Sequence, residues 1–135
     1  MKIVLDTNVL VSALIKGGKP RDLLFKIIRG KHELILSMEI LEEFGRTANN
    51  LKIRRYVEEQ DVARFLKDIA SAARIVKTKS RFKVVSEDPS DDYILRTAYD
   101  GKADYIVSGD KHLLKLKEFK GIKIISASEM LYLLK

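Results

Sequence analysis

The sequence predicts an α/β fold, with a five-stranded parallel sheet flanked by helices on both sides. Two observations predict it. Short continuous apolar runs recur along the chain, as expected of strands buried on both faces of a parallel sheet. Between them lie longer segments whose apolar residues recur at helical spacing, so β and α elements alternate. The 135 residues make one domain, 1–135, long enough for a real core, with 46% apolar and 33% charged residues.

The first strand is Ile3-Val4-Leu5, with Asp6 where it must end and Asn8 two residues later. Val9, Leu10, Ala13 and Leu14 then recur as a helix, and Gly17-Gly18 and Pro20 close that segment. A helix over 21–28 ends at Gly30. Leu34-Ile35-Leu36 forms the second strand, and Ser37 caps a helix that Gly45 and Asn49-Asn50 weaken or end. Residues 55–73 are mostly helical, and Ile75-Val76 is a brief third strand. Residues 82–85 are ambiguous. Asp88-Pro89-Ser90 is a turn into a helix over 91–100, ended by Gly101. Tyr105-Ile106-Val107 is the fourth strand, 111–116 a short helix, 122–125 the fifth strand and 126–134 the closing helix.

Composition excludes several classes of function. With no cysteine there is no disulfide framework, thiolate zinc site or cysteine nucleophile. The longest apolar run falls far short of a membrane span, and Asp6 interrupts the only place for a signal-peptide core, so no membrane and a cytoplasmic location are expected. The net charge of +7 is uneven. Ten basic residues stand against four acids between Lys52 and Lys83, so this stretch holds +6 of it and the rest is nearly neutral. A basic region beside an acidic site suits a polyanion whose scissile bond meets metal ions. A solvated helical face is the plainer explanation for any single residue there. Arg54 and Arg55, with Tyr56 to stack on a base, are the candidates for contact with that polyanion's backbone.

Carboxylates are selected by where each would point. Asp6 follows the first strand, at the edge where open α/β sheets place their ligands. Taken alone it reads as a helix cap, and the case for a site depends on further carboxylates falling in equivalent places. At about 100° per residue, Ile40, Leu41 and Phe44 define the inward stripe of their helix. Glu39 and Glu42 then face solvent, while Glu43 lies at the stripe's edge. By the same construction Asp91 falls inside the stripe set by Ile94, Leu95 and Ala98, with Asp92 at its flank as an accessory. Asp110 repeats the position of Asp6 after the fourth strand. His32 and His112 stand alone among charges, exposed and inert.

Asp6, Glu43, Asp91 and Asp110 converge at one sheet edge if the strands are parallel. Such acids repel and raise one another's pKa unless cations neutralise them. Asp6, Asp91 and Asp110 are the expected metal ligands, and an all-oxygen set selects Mg²⁺ or Mn²⁺. Ions of this kind activate water and stabilise the leaving oxygen of a phosphodiester, which is nuclease chemistry.

Along its whole length the chain resembles PIN-domain ribonucleases, particularly the small prokaryotic toxins of toxin–antitoxin pairs. The resemblance is carried by Leu5-Asp6-Thr7-Asn8, by Leu36-Ser37 with Glu43, and by Asp88-Pro89-Ser90-Asp91-Asp92 with Leu95 and Ala98. It ends in 103–110, from Ala103-Asp104 to Ser108-Gly109-Asp110, with Leu113-Leu114. It implies a PIN-like five-stranded sheet, acids at Asp6, Glu43, Asp91 and Asp110, and polar companions at Asn8 and Ser108. It also implies a Mg²⁺ or Mn²⁺ site, cleavage of single-stranded RNA leaving a 5′ phosphate, and a homodimer, whose two-fold would join two basic surfaces. An antitoxin protein is a partner suggested by the resemblance and by no residue here. Rival readings each lack a residue. An aspartyl phosphatase wants an acid where Asn8 stands, and a response regulator wants an acid pair where only Asp6 occurs. A non-catalytic RNA- or antitoxin-binding module on the same fold is the remaining alternative.

Overall fold

A computed structural model describes residues 1–84 and 89–135, apart from the side chains of Pro89 and Ser90. In chain order its elements are β1 (Lys2–Leu5), α1 (Thr7–Ile15), α2 (Lys19–Arg29), β2 (Glu33–Ser37), α3 (Met38–Ala48), α4 (Leu51–Arg54) and α5 (Glu59–Ala72). There follow β3 (Arg74–Val76), α6 (Pro89–Asp100), β4 (Tyr105–Val107), α7 (Lys111–Leu116), β5 (Glu118–Phe119), β6 (Ile122–Ile125) and α8 (Ala127–Leu133).

The sheet runs in the order β3-β2-β1-β4-β6-β5. Every pair is parallel except β5 with β6. The sheet is thus the expected five parallel strands plus one two-residue antiparallel edge. Glu118-Phe119 is too short and too polar to show an apolar run, which is why the pattern misses it. It pairs only through the tight return at Lys120-Gly121, where both residues take positive φ.

The apolar runs behave as strands covered on both faces: Ile3, Val4, Leu5, Leu34, Ile35, Leu36, Ile106 and Val107 are all buried. Other boundaries move for local reasons. Pro20 does not close the first helical segment but sits in the first turn of α2, where its missing N–H costs nothing. Gly45 lies inside α3, which runs on to Ala48 and is capped at Asn49. The helix expected from residue 55 starts only at Glu59. Glu58 and Asp61 form a reciprocal capping box there, and Leu51–Arg54 is a separate single turn capped by Asn50. Of the expected turn at Asp88-Pro89-Ser90, Asp88 lies outside the described residues and Pro89 opens α6. Residues 82–84 form no regular element, and Val85 also lies outside the described residues. No helix among the described residues is long and apolar enough to cross a membrane.

The strand order fixes where function can sit. From β1 the chain builds outward through β2 to β3, then crosses back by α6 to β4 on the other side of β1. The order therefore reverses between β1 and β4, and a crevice opens at their carboxyl ends. α6 lies over β1, β2 and β4. Its end closes tightly on the sheet, because a Cβ on Gly101 would stand 2.8 Å from Ile35 Cγ2 and 2.9 Å from the Thr97 carbonyl oxygen. Gly101→Ala is therefore expected to destabilise the protein by about 1–3 kcal/mol, the usual range for overpacking a filled core. Urea unfolding measures this, and a variant as stable as the parent would mean that α6 docks less tightly than described.

Candidate active site at the β1–β4 crevice

The register sets the site. Leu5 pairs with Val107, and the Asp6 amide donates to the Val107 carbonyl at 2.9 Å, so the next residues, Asp6 and Ser108, leave the sheet side by side. Ser108 donates its own amide to the Ile125 carbonyl at 3.0 Å, which sets it beside Ser126 in turn. On the other flank Ser37 ends β2. Four polar residues, Ser37, Asp6, Ser108 and Ser126, thus end four neighbouring strands. Each is followed by a helix that starts at the same edge.

Asp6 is only 5% exposed. It occupies the N-cap of α1, and its carbonyl accepts from the amides of Val9 and Leu10, but its side chain makes no capping bond. The carboxylate turns toward β4, where Ser108 Oγ donates to Oδ2 at 2.7 Å. The same hydroxyl accepts from the Asp110 amide at 2.9 Å. One serine therefore ties the two strand-end acids together. Burial pushes the Asp6 carboxyl above the usual carboxylate range, opposed by the Ser108 bond and by the amides of Asn8 and Thr7; the Asp110 charge adds to the upward shift. Asp110 is half-buried and also caps α7, accepting from the His112 amide at 2.7 Å. The plain cap reading of this acid is thus true as well.

Asp91 is buried at the head of α6, as its inward phase requires. It has interactions of its own, and its Oδ2 is a buried oxygen that accepts no hydrogen bond among the described residues. Asp92 is also buried, and its Oδ1 accepts from the Val84 amide at 2.8 Å, so it anchors the incoming chain. Glu43 is half-buried on α3, which packs against α1 and meets α6. Glu42 is exposed as expected, but Glu39 is not. Thr78 Oγ1 donates to both Glu39 oxygens, at 3.0 and 2.7 Å, because the chain leaving β3 folds back over that face of α3. His112 is exposed, while His32 is half-buried, with Nδ1 3.2 Å from the Met1 amine.

Asn8 is exposed and lines, with Lys19, Ser108, Asp110, Ser126 and Ser128, a cleft of about 420 Å³ beside the acids. Lys19 reaches it from α2 and donates to Ser128 Oγ at 3.0 Å, a cation that the sequence pattern does not single out. A second feature it misses is a hydroxyl pair under the crevice. Thr97 Oγ1 lies 2.7 Å from both Ser37 Oγ and the Tyr93 carbonyl, with both hydroxyl-bearing side chains buried. Thr97 on the buried stripe of α6 was the available signal. Arg54, Arg55 and Tyr56 lie beyond the far end of α3, all exposed. Arg54 faces Glu59 at 3.9 Å and Asn49 at 3.3 Å.

The donor chemistry fits a hard divalent cation. Asp6 and Asp110 stand close enough to raise the Asp6 pKa, a cost that a cation reverses, and apart from Lys19 every polar side chain named around them offers oxygen or an amide. Among the described residues no three His, Cys, Asp or Glu side chains already form an ion cage. The pair is in place, and the third ligand is not gathered to it.

The raised Asp6 pKa has a consequence for stability. The folded state holds this proton to higher pH than the unfolded chain, so stability falls as pH rises from the unfolded value through the folded one. Asp6→Asn removes that cost while keeping an acceptor for Ser108. In EDTA the variant should melt above the parent at neutral pH, and the gap should close as pH falls toward 4, roughly the ordinary Asp value. A variant less stable at pH 7 would show that ionised Asp6 is well accommodated.

Comparison with known proteins agrees with this geometry. The PIN domain family model matches residues 2–112. Over 127 residues the chain is 35% identical to the uncharacterized protein MJ1680 of Methanocaldococcus jannaschii, covering 92% of this chain and 81% of that protein. Its fold is also similar to a chain in the crystal structure of VapBC2 from Rickettsia felis bound to a DNA fragment from their promoter. That likeness has a TM-score of 0.64 at 15% identity, over 92% of this chain and 97% of the other. A family model spanning most of the chain, on a parallel sheet whose strand-end acids meet at the reversal of strand order, makes the protein a member of the PIN domain family.

Proposed function

We propose that the protein is a metal-dependent endoribonuclease that cleaves single-stranded RNA with water, leaving a 5′ phosphate. The observation that carries this is the buried Asp6, bridged through Ser108 to Asp110 at the β1–β4 crevice. Asp6, Asp91 and Asp110 hold Mg²⁺ or Mn²⁺. The ion, when bound, supplies activation of water and neutralises the departing oxygen. Ser108 fixes the rotation of the Asp6 carboxylate and so aims it. Glu43, half-buried on the neighbouring helix, takes up a proton from the attacking water. Asn8 presents its amide to the phosphate from the cleft, and Asp92 holds the head of α6 by its bond to Val84. Arg54, Arg55 and Tyr56 give a separate exposed patch for RNA at the far end of α3.

The biological role that fits is the toxin of a toxin–antitoxin pair, with an antitoxin protein as partner. The resemblance in motifs and the likeness in fold to the VapBC2 chain support it. We further propose a homodimer, which light scattering tests; a monomer at assay concentration would dispose of it. The absence of a three-acid cage among the described residues favours a second reading, a non-catalytic RNA- or antitoxin-binding module on the same fold.

Cleavage of a single-stranded RNA decides between these readings. With Mn²⁺ or Mg²⁺ the parent should cut, and EDTA should stop it. Asp6→Asn, Asp91→Asn and Asp110→Asn should each lose on the order of 100-fold in rate or more, the size typical of removing one electrostatic stabiliser. Metal-independent RNA binding without cleavage would establish the second reading instead. Within the same assay Glu43→Gln should abolish cutting and Glu42→Gln leave it nearly intact. The reverse result would mean that the solvent-facing side of α3 carries the chemistry.

A further inference from the structure

The chain between β3 and α6 has a feature that the catalytic site does not use. Three side chains of α6, four residues apart, grip its backbone. Asp100 Oδ2 accepts from the amides of Lys79 (2.7 Å) and Ser80 (3.1 Å) and from Ser80 Oγ (3.0 Å). Arg96 donates through Nε and Nη2 to the Phe82 carbonyl at 2.9 and 2.8 Å. Asp92 accepts from the Val84 amide. Four helical residues advance about 6 Å, and the segment covers that distance in two residues, close to the roughly 6.6 Å of fully extended chain. Residues 80–84 therefore run extended along α6, antiparallel to it, from its last turn to its first.

An extended chain sends alternate side chains to opposite sides. Thr78, Ser80 and Phe82 are half-buried, and Phe82 packs on Tyr99 and Phe119 with ring centroids 5.7 and 5.1 Å away. Lys77, Lys79, Arg81 and Lys83 are all exposed. Every outward position of the segment is thus a cation, and no acid interrupts the row. None of the four forms an ion pair among the described residues. Nearby, Lys120 lies over the rings of Tyr99 and Phe119 and Arg96 over that of Tyr93, and both tyrosines remain exposed. Cations in a row beside exposed aromatic residues are the means by which proteins hold single strands: charge follows the backbone and rings receive bases.

We propose that Lys77, Lys79, Arg81 and Lys83 form a rail for the phosphate backbone of a single-stranded polynucleotide, held straight by the Asp92–Arg96–Asp100 clamp. The rail runs up α6 to the turn that carries Asp91, so a strand lying on it is led toward the strand-end acids. Only this direction of travel rests on the nuclease reading; the binding surface stands without it. The charges sit on a backbone held to α6 at Lys79, Ser80, Phe82 and Val84, so little chain order is lost when the strand binds. An acidic protein surface would meet the same cations but would have no use for the rings.

The test is binding of a short fluorescein-labelled oligouridylate in EDTA, followed by anisotropy over a salt series. The full-length protein is compared with a Lys79→Ala, Arg81→Ala, Lys83→Ala triple variant and with its Gln counterpart. Each phosphate contact on a single strand contributes about 0.7 to the slope of log affinity against log salt, so the slope should fall by about 2 in both. Thermal melting should be unchanged, since the clamp bonds the backbone and not these side chains. Arg54→Ala with Arg55→Ala should remove at most about 1.4, the share of two contacts at the separate patch, and leave the rail's share in place. An unchanged slope in the triple variants would overturn the proposal, as would failure of the parent to bind. Equal displacement of the RNA by an oligoglutamate of matching charge would also overturn it, in favour of an acidic protein partner. Mn²⁺-dependent cutting at saturating RNA should survive in the triple variants. If the parent binds through the rail yet never cuts, the nuclease reading fails and the rail stands.

Discussion

Everything at the crevice depends on the pairing of β1 with β4. The bond from the Asp6 amide to the Val107 carbonyl sets two strand ends level, and Ser108 then reaches the Asp6 carboxylate. A slip of one residue would bring Lys2 or Asp6 into a strand position now held by a buried apolar side chain. Ile3, Val4 and Leu5 are fully buried, so the core enforces the register that the chemistry needs. The same pairing forces a carboxylate out of water next to a second one. Folding thereby stores an unfavourable charge arrangement at one point, which a cation relieves.

α6 is the element through which sheet and surface are joined. Its inward face places Ile94, Leu95 and Ala98 on the sheet and carries Asp91 at its head. Thr97 reaches Ser37 under the crevice. Its other polar residues, Asp92, Arg96 and Asp100, hold the extended chain that follows β3. One helix thus orients a candidate ligand and displays a row of four exposed cations. Polar residues four apart on a helix are ordinarily taken for solvated charges or mutual pairs; here each is spent on a neighbouring backbone.

The legible parts of this protein were those governed by burial. The five parallel strands follow from apolar runs, and Asp6, Asp91 and Asp110 stand out because they end strands or point inward. The structure places Asp6 and Asp110 together and buries Asp91. What the pattern could not show depends on contacts distant in sequence. Glu39 is half-buried only because Thr78 returns over it, and β5 exists only because Lys120-Gly121 turns it back onto β6. Lys19 enters the cleft from α2, whose position no local pattern gives. The basic stretch is legible as a block from Lys52 to Lys83, but charge counting gives no weight within it. Only the clamp on α6 separates its ordered end from the patch at Arg54 and Arg55.

The Asp6–Ser108–Asp110 pair, with Asp91, is proposed as a divalent-cation site. Titration calorimetry with Mn²⁺ tests it most directly, run in two buffers of different ionisation enthalpy. Ligands must be deprotonated to bind, so a buried carboxyl with a raised pKa should release part of a proton on metal binding at mildly acidic pH. The parent protein should bind Mn²⁺ with that release, and Asp6→Asn and Asp91→Asn should each bind more weakly, with the release gone in Asp6→Asn. Equal Mn²⁺ affinity in the parent and both variants would contradict the claim and place any metal elsewhere.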